Sequence, residues 1–380
     1  MSSLVYLDYN ATTPIAPQVA AAMAPYLERG WGNPSSSHPF GVQARQAIQR
    51  ARDQVSDLLG CATDELVFTG GGTESNNMAL QGVAYALRER GRHVVTSAIE
   101  HPAISQVCAW LAGLGWEITV VGVDAHGRVD PADVARALRS DTVLVSVMHA
   151  NNEVGTVQPI AEIAALARAE GVVVHCDGAQ AVSKIPTRVE DLGVDLYSVA
   201  GHKLYAPKGV GALYVRPGTP ITRVFQGADH EAGRRPGTEN TLGIVGLGAA
   251  ALLAADLGPR ASRMRDMRER LHSAIRVGVP DVVLNGHPEL RLPNTLSLAF
   301  PGVQATAVLE ALAGRVAASA GAACHADCVS VSATLGAMGV SEPRALGTIR
   351  FSTGVHSEAE DMDAAAAAVV QVVRRLRDGS

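Results

Sequence analysis

The sequence predicts an α/β fold in which a mainly parallel sheet carries helices on both faces, together with a smaller α+β domain. Short apolar runs alternate with helix-like segments between residues 66 and 215, which is typical of parallel strands joined by crossover helices. Polar clusters follow the ends of several runs, where such sheets bind ligands. After about Gly258 the alternation stops. We expect a large domain at residues 15–257 and a small domain formed by residues 1–14 and 258–380.

The period of the apolar residues predicts the individual elements. Short apolar runs predict strands near the N-terminus and at 66–69, 93–97, 117–123, 142–148, 172–175, 196–199, 210–215, 295–300, 316–318 and 348–352. Helical spacing predicts helices at 17–29, 41–59, 77–90, after Pro102, and at 160–170, 260–276, 305–313, 331–338 and 358–377. The strand at 210–215 is expected to be antiparallel or to lie at an edge.

Charge and composition argue against a nucleic-acid-binding protein and against a membrane-spanning one. The net charge is −5 and no basic run is present, so direct binding to nucleic acid is not expected. The chain has no charged leader before an apolar stretch and no 18 uninterrupted apolar residues, which predicts a cytoplasmic protein without a membrane span.

The five cysteines do not describe a disulfide framework, because their number is odd and their spacing irregular. Cys324, His325, Asp327 and Cys328 lie close together, but no second ligand pair of matching spacing accompanies them, so no metal is expected. Three other cysteines lie in helix or strand contexts and are expected to be small core residues: Cys61, Cys108 and Cys176.

A lysine motif, Ala200-Gly201-His202-Lys203, stands at the end of the run 196–199. A lysine at a rigid strand end suits Schiff-base formation with a carbonyl cofactor, usually pyridoxal 5'-phosphate (PLP). Taken alone, the four residues favour the alternative, a surface lysine after a strand. Residues elsewhere that match the needs of PLP favour the cofactor.

A phosphate site is predicted where the strand 66–69 meets Gly70-Gly71-Gly72-Thr73. Backbone N–H groups and the positive end of the following helix converge there, and glycine permits close approach of an anion. Thr73 adds a hydroxyl, although it is also a normal helix cap. The pattern matches neither the Walker A nor the G-x-G-x-x-G motif, so a nucleotide is not indicated.

Polar side chains at other strand ends match the remaining groups of PLP. Asp177 suits the protonated pyridine nitrogen through a charge-assisted hydrogen bond, and its alternative is a turn aspartate. His101 offers a flat partner for the ring, and its alternative is a core or capping histidine. Gln180 and Asn152 offer donors to the ring oxygen.

Two residues of the predicted small domain are candidates to act on a substrate. Arg350 lies within the apolar strand 348–352, where an unpaired arginine is costly. Its planar fork suits an amino-acid carboxylate, and the alternative is an internal ion pair. Cys324 follows the small residues 320–323, which predict a flexible exposed loop. A reactive thiolate needs a neighbouring cation or base, and His325 is adjacent; the alternative is a small buried residue.

The assembled motifs resemble cysteine desulfurases of the NifS/IscS type, within the class V aminotransferases. The likeness covers almost the whole chain and rests on motifs in the same order: Tyr9-Asn10-Ala11-Thr12-Thr13-Pro14, Gly32-Asn33-Pro34, Gly72-Thr73-Glu74-Ser75-Asn76, Glu100-His101, Asn151-Asn152-Glu153, Asp177 with Gln180, Gly201-His202-Lys203, Arg235-Pro236-Gly237-Thr238 and Arg350-Phe351-Ser352.

This resemblance implies a fold-type I homodimer with a mainly parallel seven-stranded sheet and an active site at the subunit boundary. It implies that Lys203 is the Schiff-base lysine and proton shuttle, and that His101 stacks on the ring and helps proton transfer. The other implied PLP contacts are Asp177 at the nitrogen, Asn152 and Gln180 at the ring oxygen, and Gly72, Thr73 and His202 at the phosphate, with Thr238 from the other subunit.

The implied reaction converts L-cysteine to L-alanine. Arg350, with Asn152, binds the substrate, and Cys324 takes the sulfur as a persulfide for transfer to an acceptor protein. The nature of that acceptor stays open among iron–sulfur assembly, tRNA or DNA thiolation and secondary metabolism. Cys328 is either a relay thiol or incidental.

Departures from the family pattern concern the cofactor and the substrate. Ala200 replaces a serine that supplies a phosphate hydroxyl, Ala322 replaces the serine two before the cysteine, and 227–231 replaces a glycine-rich stretch and adds an acid near the site. Gly321–His325 and Arg235–Asn240 are also similar to selenocysteine lyase. Two further alternatives are an aminotransferase or lyase that does not use Cys324 and a sulfur carrier without catalysis.

Overall fold

The computed structural model describes residues 4–325 and 328–379, with the backbone alone for 322–325 and 328–330. The strands are Val5–Tyr6 (β1), Leu66–Thr69 (β2), His93–Ser97 (β3), Glu117–Val121 (β4), Thr142–Met148 (β5), Val173–Asp177 (β6), Leu196–Ala200 (β7), Gly211–Val215 (β8), Val283–Asn285 (β9), Thr295–Ala299 (β10), Val316–Ala317 (β11), Ser319–Ala320 (β12), Ala322–His325 (β13), Cys328–Val331 (β14) and Thr348–Ser352 (β15).

Proline opens several of the helices, as its fixed φ and missing N–H favour at a first helical position. The helices are Pro17–Glu28 (α1), Pro39–Leu59 (α2), Gly72–Leu87 (α3), Pro102–Gly113 (α4), Pro131–Ala137 (α5), Ile160–Ala169 (α6), Val189–Leu192 (α7), Thr241–Ala254 (α8), Leu257–Gly278 (α9), Ala305–Ala311 (α10), Ala333–Ala337 (α11), Glu342–Leu346 (α12) and Ala359–Arg377 (α13).

The large sheet has seven strands in the order β2-β8-β7-β6-β5-β3-β4. Neighbours from β4 through β7 pair in parallel, and β8 pairs antiparallel with both β7 and β2. The predicted fold class, a mainly parallel α/β sheet, is therefore confirmed. The strand predicted at 210–215 is antiparallel and lies inside the sheet, one position from its edge.

Two apolar cores lie on opposite faces of this sheet. One joins the sheet to helices α1, α2, α5, α6 and α8, and the other joins it to α3 and α4. Alternate strand residues therefore face different helices, and most strands of the sheet are buried on both sides. Burial on both faces is the reason that their sequences are almost continuously apolar.

A second, four-stranded sheet has the order β12-β15-β10-β9 and packs against α9, α10 and α13. The N-terminal strand β1 belongs to this part of the molecule, because it pairs in parallel with β11 and Leu7 is buried in the same core. The chain therefore begins in the small unit and then enters the large one. The domain boundaries given above stay predictions.

The structure corrects two local predictions. Helix α3 begins at Gly72 instead of residue 77, because Gly71 adopts φ +144° and turns the chain directly into the helix. The segment carrying Cys324 is not an irregular loop: β13 pairs antiparallel with β14, with Cys324 opposite Val329. Entry to this hairpin is fixed by the Gly321 N–H, which donates to the Thr348 carbonyl at 2.7 Å.

The length and apolar character of the helices bear on whether any could cross a membrane. Among the described residues, no single helix has both the length and the apolar character needed to cross a membrane. Helices α8 and α9 pass that test only as a pair, across a bend of 81°.

Gly178, immediately after β6, gives a stability prediction. A Cβ atom at this position would lie 2.1 Å from the ring of Tyr197, which is fully buried. We expect Gly178→Ala to destabilise the cofactor-free protein by about 1–3 kcal/mol, as overpacking does. The measurement is the free energy of unfolding in urea. Gly113→Ala is the matched control, because its Cβ meets open space; equal stabilities of the two variants would contradict the prediction.

Candidate active site

A cavity of about 810 Å³ lies beyond the carboxyl ends of β5, β6 and β7. It brings together nine of the predicted site residues: Gly72, Thr73, His101, Asn152, Asp177, Gln180, His202, Lys203 and Arg350. Thr238 is exposed on the loop before α8 and does not line this cavity. The Cys324 side chain lies outside the part of the chain whose side chains are described.

One end of the cavity is built to hold an anion. The turn Gly70–Gly72 and the first turn of α3 line it, and the first N–H groups of a helix have no partner within the helix. A Cβ at Gly71 would meet no atom within 4 Å, so the backbone is open to a ligand. Burial, followed by Lys203 and Lys208, lowers the pKa of His202 to about 4, so this histidine is neutral near pH 7.

Asp177 forms the floor of the cavity at the end of β6. It is 6% exposed. Its Oδ1 accepts from the Ala179 N–H at 2.9 Å, and its Oδ2 accepts from Asn76 Nδ2 at 2.7 Å. Both donors hold the carboxylate in one orientation, so Asp177 offers a fixed acceptor to a cationic ring nitrogen.

The Lys203 amine reaches across the cavity to the N-terminal segment. Nζ donates to the carbonyl oxygens of Asn10 and Ala11 at 2.6 and 2.7 Å. Burial is the main reason that its pKa falls to about 8, and the Arg350 charge lowers it further, against the opposing effects of Asp8 and Asp177. The amine therefore loses its proton far more readily near neutral pH than an ordinary lysine does, and the uncharged amine is the nucleophilic form.

His101 caps a helix, which is one of the two interpretations that the sequence left open, and it also lines the cavity. Its Nδ1 accepts from the Ala103 N–H at 3.1 Å and so caps α4, while its ring lines the cavity. Burial is the main reason that its pKa falls, and the Lys203 charge lowers it further, against the opposing effects of Asp177 and Glu153. The ring is accordingly neutral near pH 7.

Arg350 likewise forms an ion pair and lines the cavity. Nη2 contacts Asp8 Oδ1 at 2.6 Å and the Ser319 hydroxyl at 3.0 Å, and Nη1 donates to the Asn152 carbonyl at 3.2 Å. Its Nε is buried and has no partner among the described residues. The guanidinium is therefore held in place by protein atoms and retains donor capacity for a carboxylate.

Asn10 is a site residue to which the sequence reasoning assigned no role. It is 1% exposed. Its carbonyl accepts from Lys203 Nζ and from Gln180 Nε2, at 2.6 and 3.0 Å. Its Nδ2 donates to the Asn152 carbonyl at 3.0 Å. The available signal was its place directly after the first apolar run, in the same position relative to a strand as the recognised site residues.

The acids of the altered stretch 227–231 do not enter the cavity. Glu231 is paired with Arg52 at 2.6 Å and accepts from the Phe68 N–H at 2.8 Å, and Asp229 is paired with Arg223 at 3.0 Å. Glu231 lines a smaller pocket that shares Gly70 and Gly209 with this cavity, so the acid that the departure adds lies near the site but not in it. Ala200 does line the cavity.

Three thiols are described, and none is activated. Burial is the main reason that the pKa of Cys61 rises to about 11, that of Cys108 to about 12, and that of Cys176 well above its ordinary value. Among the residues whose side chains are described, 4–321 and 331–379, no group of three or more His, Cys, Asp or Glu side chains is placed to hold a metal ion. The side chains of the segment considered for a metal, 324–328, lie outside these residues.

Comparison with known proteins identifies the family. The family model described as "Aminotransferase class-V" matches residues 5–365 of this chain. The chain belongs to the class V aminotransferase family. A curated member, "Cysteine desulfurase IscS" of Dictyoglomus turgidum, is 43% identical over 379 residues, with 99% of this chain and 96% of that protein covered.

Solved structures of other family members agree over the same length. A "NIFS-LIKE PROTEIN" superposes with a TM-score of 0.91 at 34% identity, covering 98% of this chain and 99% of the other. "SspA in complex with cysteine" gives a TM-score of 0.83 at 34% identity, covering 93% and 99%. Both confirm the predicted NifS-like architecture.

The cavity fits PLP, the cofactor on which class V aminotransferases depend. The open backbone at Gly71 provides room for a phosphate at a helix start, and the Asp177 carboxylate lies at the floor of the same cavity. An amine of lowered pKa, Lys203, lines the same cavity as these groups and Arg350. These are the donor and acceptor types that the phosphate, pyridine nitrogen and aldehyde require.

The lowered pKa of Lys203 can be tested by labelling, because the chain has few lysines whose signals could overlap. The chain has three: Lys184, Lys203 and Lys208. After reductive methylation with a ¹³C-labelled reagent, we expect the Lys203 signal of the cofactor-free protein to titrate near pH 8. In the urea-denatured protein it should titrate near the ordinary value of about 10.4. Lys203→Arg assigns the signal by its loss. The same midpoint in folded and denatured protein would contradict the site described.

Proposed function

We propose that this chain is a PLP-dependent cysteine desulfurase that converts L-cysteine to L-alanine and passes the sulfur, as a Cys324 persulfide, to an acceptor protein. One observation carries the proposal. Lys203, Asp177, the start of α3 and Arg350 line a single cavity, and together they supply an amine, a counter-charge, a phosphate site and a carboxylate site. The names of the curated relatives support the same reaction.

The proposed cofactor contacts follow the positions of the side chains. Gly72, Thr73 and His202 hold the phosphate, Asp177 holds the ring nitrogen, and His101 lies against the ring. Gln180 and Asn152 lie on the side of the ring oxygen. Bound PLP supplies a conjugated ring that withdraws electrons from an attached amino acid.

Arg350 and Lys203 act on the substrate. Arg350 is oriented by Asp8 and Ser319, so its remaining donors bind the cysteine carboxylate without reorganisation. Lys203 moves protons at the substrate α-carbon, a task for which a pKa of about 8 is suitable.

Cys324 takes the sulfur. Its thiolate attacks the substrate sulfur, and the carbon–sulfur bond breaks with its electron pair left on carbon, which takes up a proton to yield alanine. Cys61, Cys108 and Cys176 are unsuited to this step, because burial favours their protonated forms. The hairpin that carries Cys324 starts just after Ser319, which contacts Arg350.

The protein is proposed to act as a cytoplasmic homodimer. Support for the dimer comes from Thr238, which is exposed and lies outside the cavity of its own chain, consistent with a contribution to the site of a second copy. The sulfur acceptor is proposed to be a protein, and no direct contact with nucleic acid is expected. The division into domains at residues 15–257 and 1–14 with 258–380 belongs to the same proposal.

A selenocysteine lyase is the second candidate, favoured by the sequence around Gly321–His325 and Arg235–Asn240. It would use the same cavity and cleave a carbon–selenium bond. The structural relative in complex with cysteine favours the first candidate.

The test measures alanine and sulfane sulfur released from L-cysteine by the PLP-loaded protein. We expect turnover in the wild type, and a loss of about 10³-fold or more in Cys324→Ser, because the nucleophile is removed. Lys203→Ala should lose the visible absorbance of the cofactor that borohydride bleaches. Cys61→Ser is the matched control and should keep full turnover.

Three outcomes would contradict the proposal. Turnover of L-selenocysteine alone would make the protein a selenocysteine lyase. Unchanged desulfuration in Cys324→Ser would assign the chemistry to another group. A wild type that shows no cofactor absorbance after reconstitution would leave a sulfur carrier without catalysis.

A further inference from the structure

The basic residues of this chain are distributed unusually. Of 32 lysines and arginines, three are lysines, which leaves 29 arginines. Lys203 and Lys208 line the cavity, and Lys184 lies directly behind it in the turn after β6. Lysine differs from arginine in its compact head and in its ability to lose the proton when buried. Lys184 is 4% exposed, so it is the lysine for which these properties matter most.

Lys184 closes a ring of hydrogen bonds with two site residues. Its Nζ donates to Gln180 Oε1 at 2.8 Å and to Asn10 Oδ1 at 3.2 Å. Gln180 Nε2 in turn donates to the Asn10 carbonyl at 3.0 Å. All three residues are buried, and Gln180 and Asn10 also line the cavity.

This ring fixes which way the Gln180 amide faces. An amide has an acceptor end and a donor end of nearly equal shape, and its partners decide between the two orientations. The Asn10 carbonyl can only accept, so the NH₂ end of Gln180 faces it, and Lys184 holds the opposite end by donating to the Gln180 oxygen. The NH₂ group is thereby turned toward Asn10 and the cavity, where one of its two N–H groups meets the Asn10 carbonyl and the other is available to a ligand.

The far side of Asn10 supports the same arrangement. Its Oδ1 also accepts from Asn294 Nδ2 at 2.9 Å, and its Nδ2 donates to Thr295 Oγ1 at 2.8 Å. Asn10 is therefore itself held in one orientation by the small sheet. The ring consequently rests on a fixed acceptor, and Lys184 is the member that transmits this orientation to the oxygen of Gln180.

An uncharged amine suits this position. Burial, and then the charges of Lys203 and Arg350, hold the pKa of Lys184 well below its ordinary value. Among the described residues its hydrogen-bond partners are the two amide oxygens, which equal in number the two N–H groups of a neutral amine. Arginine cannot lose its charge in a protein, so this position excludes the basic residue that the chain uses elsewhere.

We propose that Lys184 is a positioning residue that orients the Gln180 amide, so that an N–H group of Gln180 points at the ring oxygen of PLP. This inference rests on the proposed function, which places that oxygen beside Gln180. It concerns a residue that touches neither cofactor nor substrate and acts only through Gln180.

The test follows the pH midpoint of the absorbance change of the bound cofactor. A hydrogen-bond donor to the ring oxygen stabilises the negative charge of that oxygen. Without the donor, the proton on the neighbouring Lys203 nitrogen is held more tightly, so the pH midpoint rises. We expect Lys184→Met to raise the midpoint by about one pH unit, the size of one hydrogen bond to a charged group. Gln180→Met should give the same rise, and the double variant no more than either single one, because the two residues act as one unit.

Controls separate positioning from a general structural effect. Lys184→Gln keeps an N–H donor and should shift the midpoint less than Lys184→Met. Ile185→Val changes the same turn without touching the amide and should match the wild type. If Lys184→Met does not fold, Lys184→Leu tests the same loss.

A wild-type midpoint in Lys184→Met, or shifts that add in the double variant, would overturn the inference. A wild type without cofactor absorbance would instead contradict the proposed function, so the two failures are distinguishable.

Discussion

The hydrogen bonds of Asn10 join the two units of the molecule at the point where the cavity forms. Its N–H donates to the Ser352 hydroxyl of the small sheet at 2.9 Å, and its carbonyl accepts from Lys203 at the end of the large sheet. Asn10 and Ser352 are buried, and an unpaired buried polar group costs about 1–3 kcal/mol. The lysine and the small unit are therefore positioned relative to each other by one residue.

The electrostatics of the cavity follow from this junction. Burial is the main reason that the pKa values of Lys203 and Lys184 fall, and the Arg350 charge lowers both further, while Asp177 lines the same cavity. Repulsion among cations is costly in a buried site, and it is relieved either by losing protons or by binding anions. The two lysines respond with lowered pKa values. Arg350 cannot, so its charge persists for a bound carboxylate, as the proposed substrate requires.

The sequence predicted most reliably those features that depend on the end of a strand. Asp177, Asn152 and Lys203 each follow an apolar run, and parallel strands bring such ends to one edge of a sheet, where the structure has them. Helix α8 was not predicted, because it is apolar nearly all round and lacks the amphipathic period by which a surface helix is recognised. Its burial results from packing against other helices of the large unit, which a local sequence pattern does not reveal.

The start of α3 and the hairpin of β13 and β14 were not predictable for a related reason. Consecutive glycines permit a helix to begin among them but do not require it, and only φ +144° at Gly71 decides the matter. The small residues around Cys324 have weak preference for any structure, so pairing with β14 determines their conformation. Lys184 was missed because a lysine in a turn normally faces solvent. The scarcity of lysine, which supplies three of the 32 basic residues, was the only available signal.

The contacts of Arg350 make its two interpretations, which the sequence presents as alternatives, compatible with each other. Its ion pair with Asp8 holds one nitrogen, Asn152 holds another, and the buried Nε has no partner among the described residues. A guanidinium carries five N–H donors, so these contacts orient the group without exhausting it. An arginine left unpaired in the strand would be mobile as well as costly. The internal ion pair is therefore the condition under which Arg350 presents a fixed donor edge to the cavity, because a planar fork recognises a carboxylate only when its own orientation is settled.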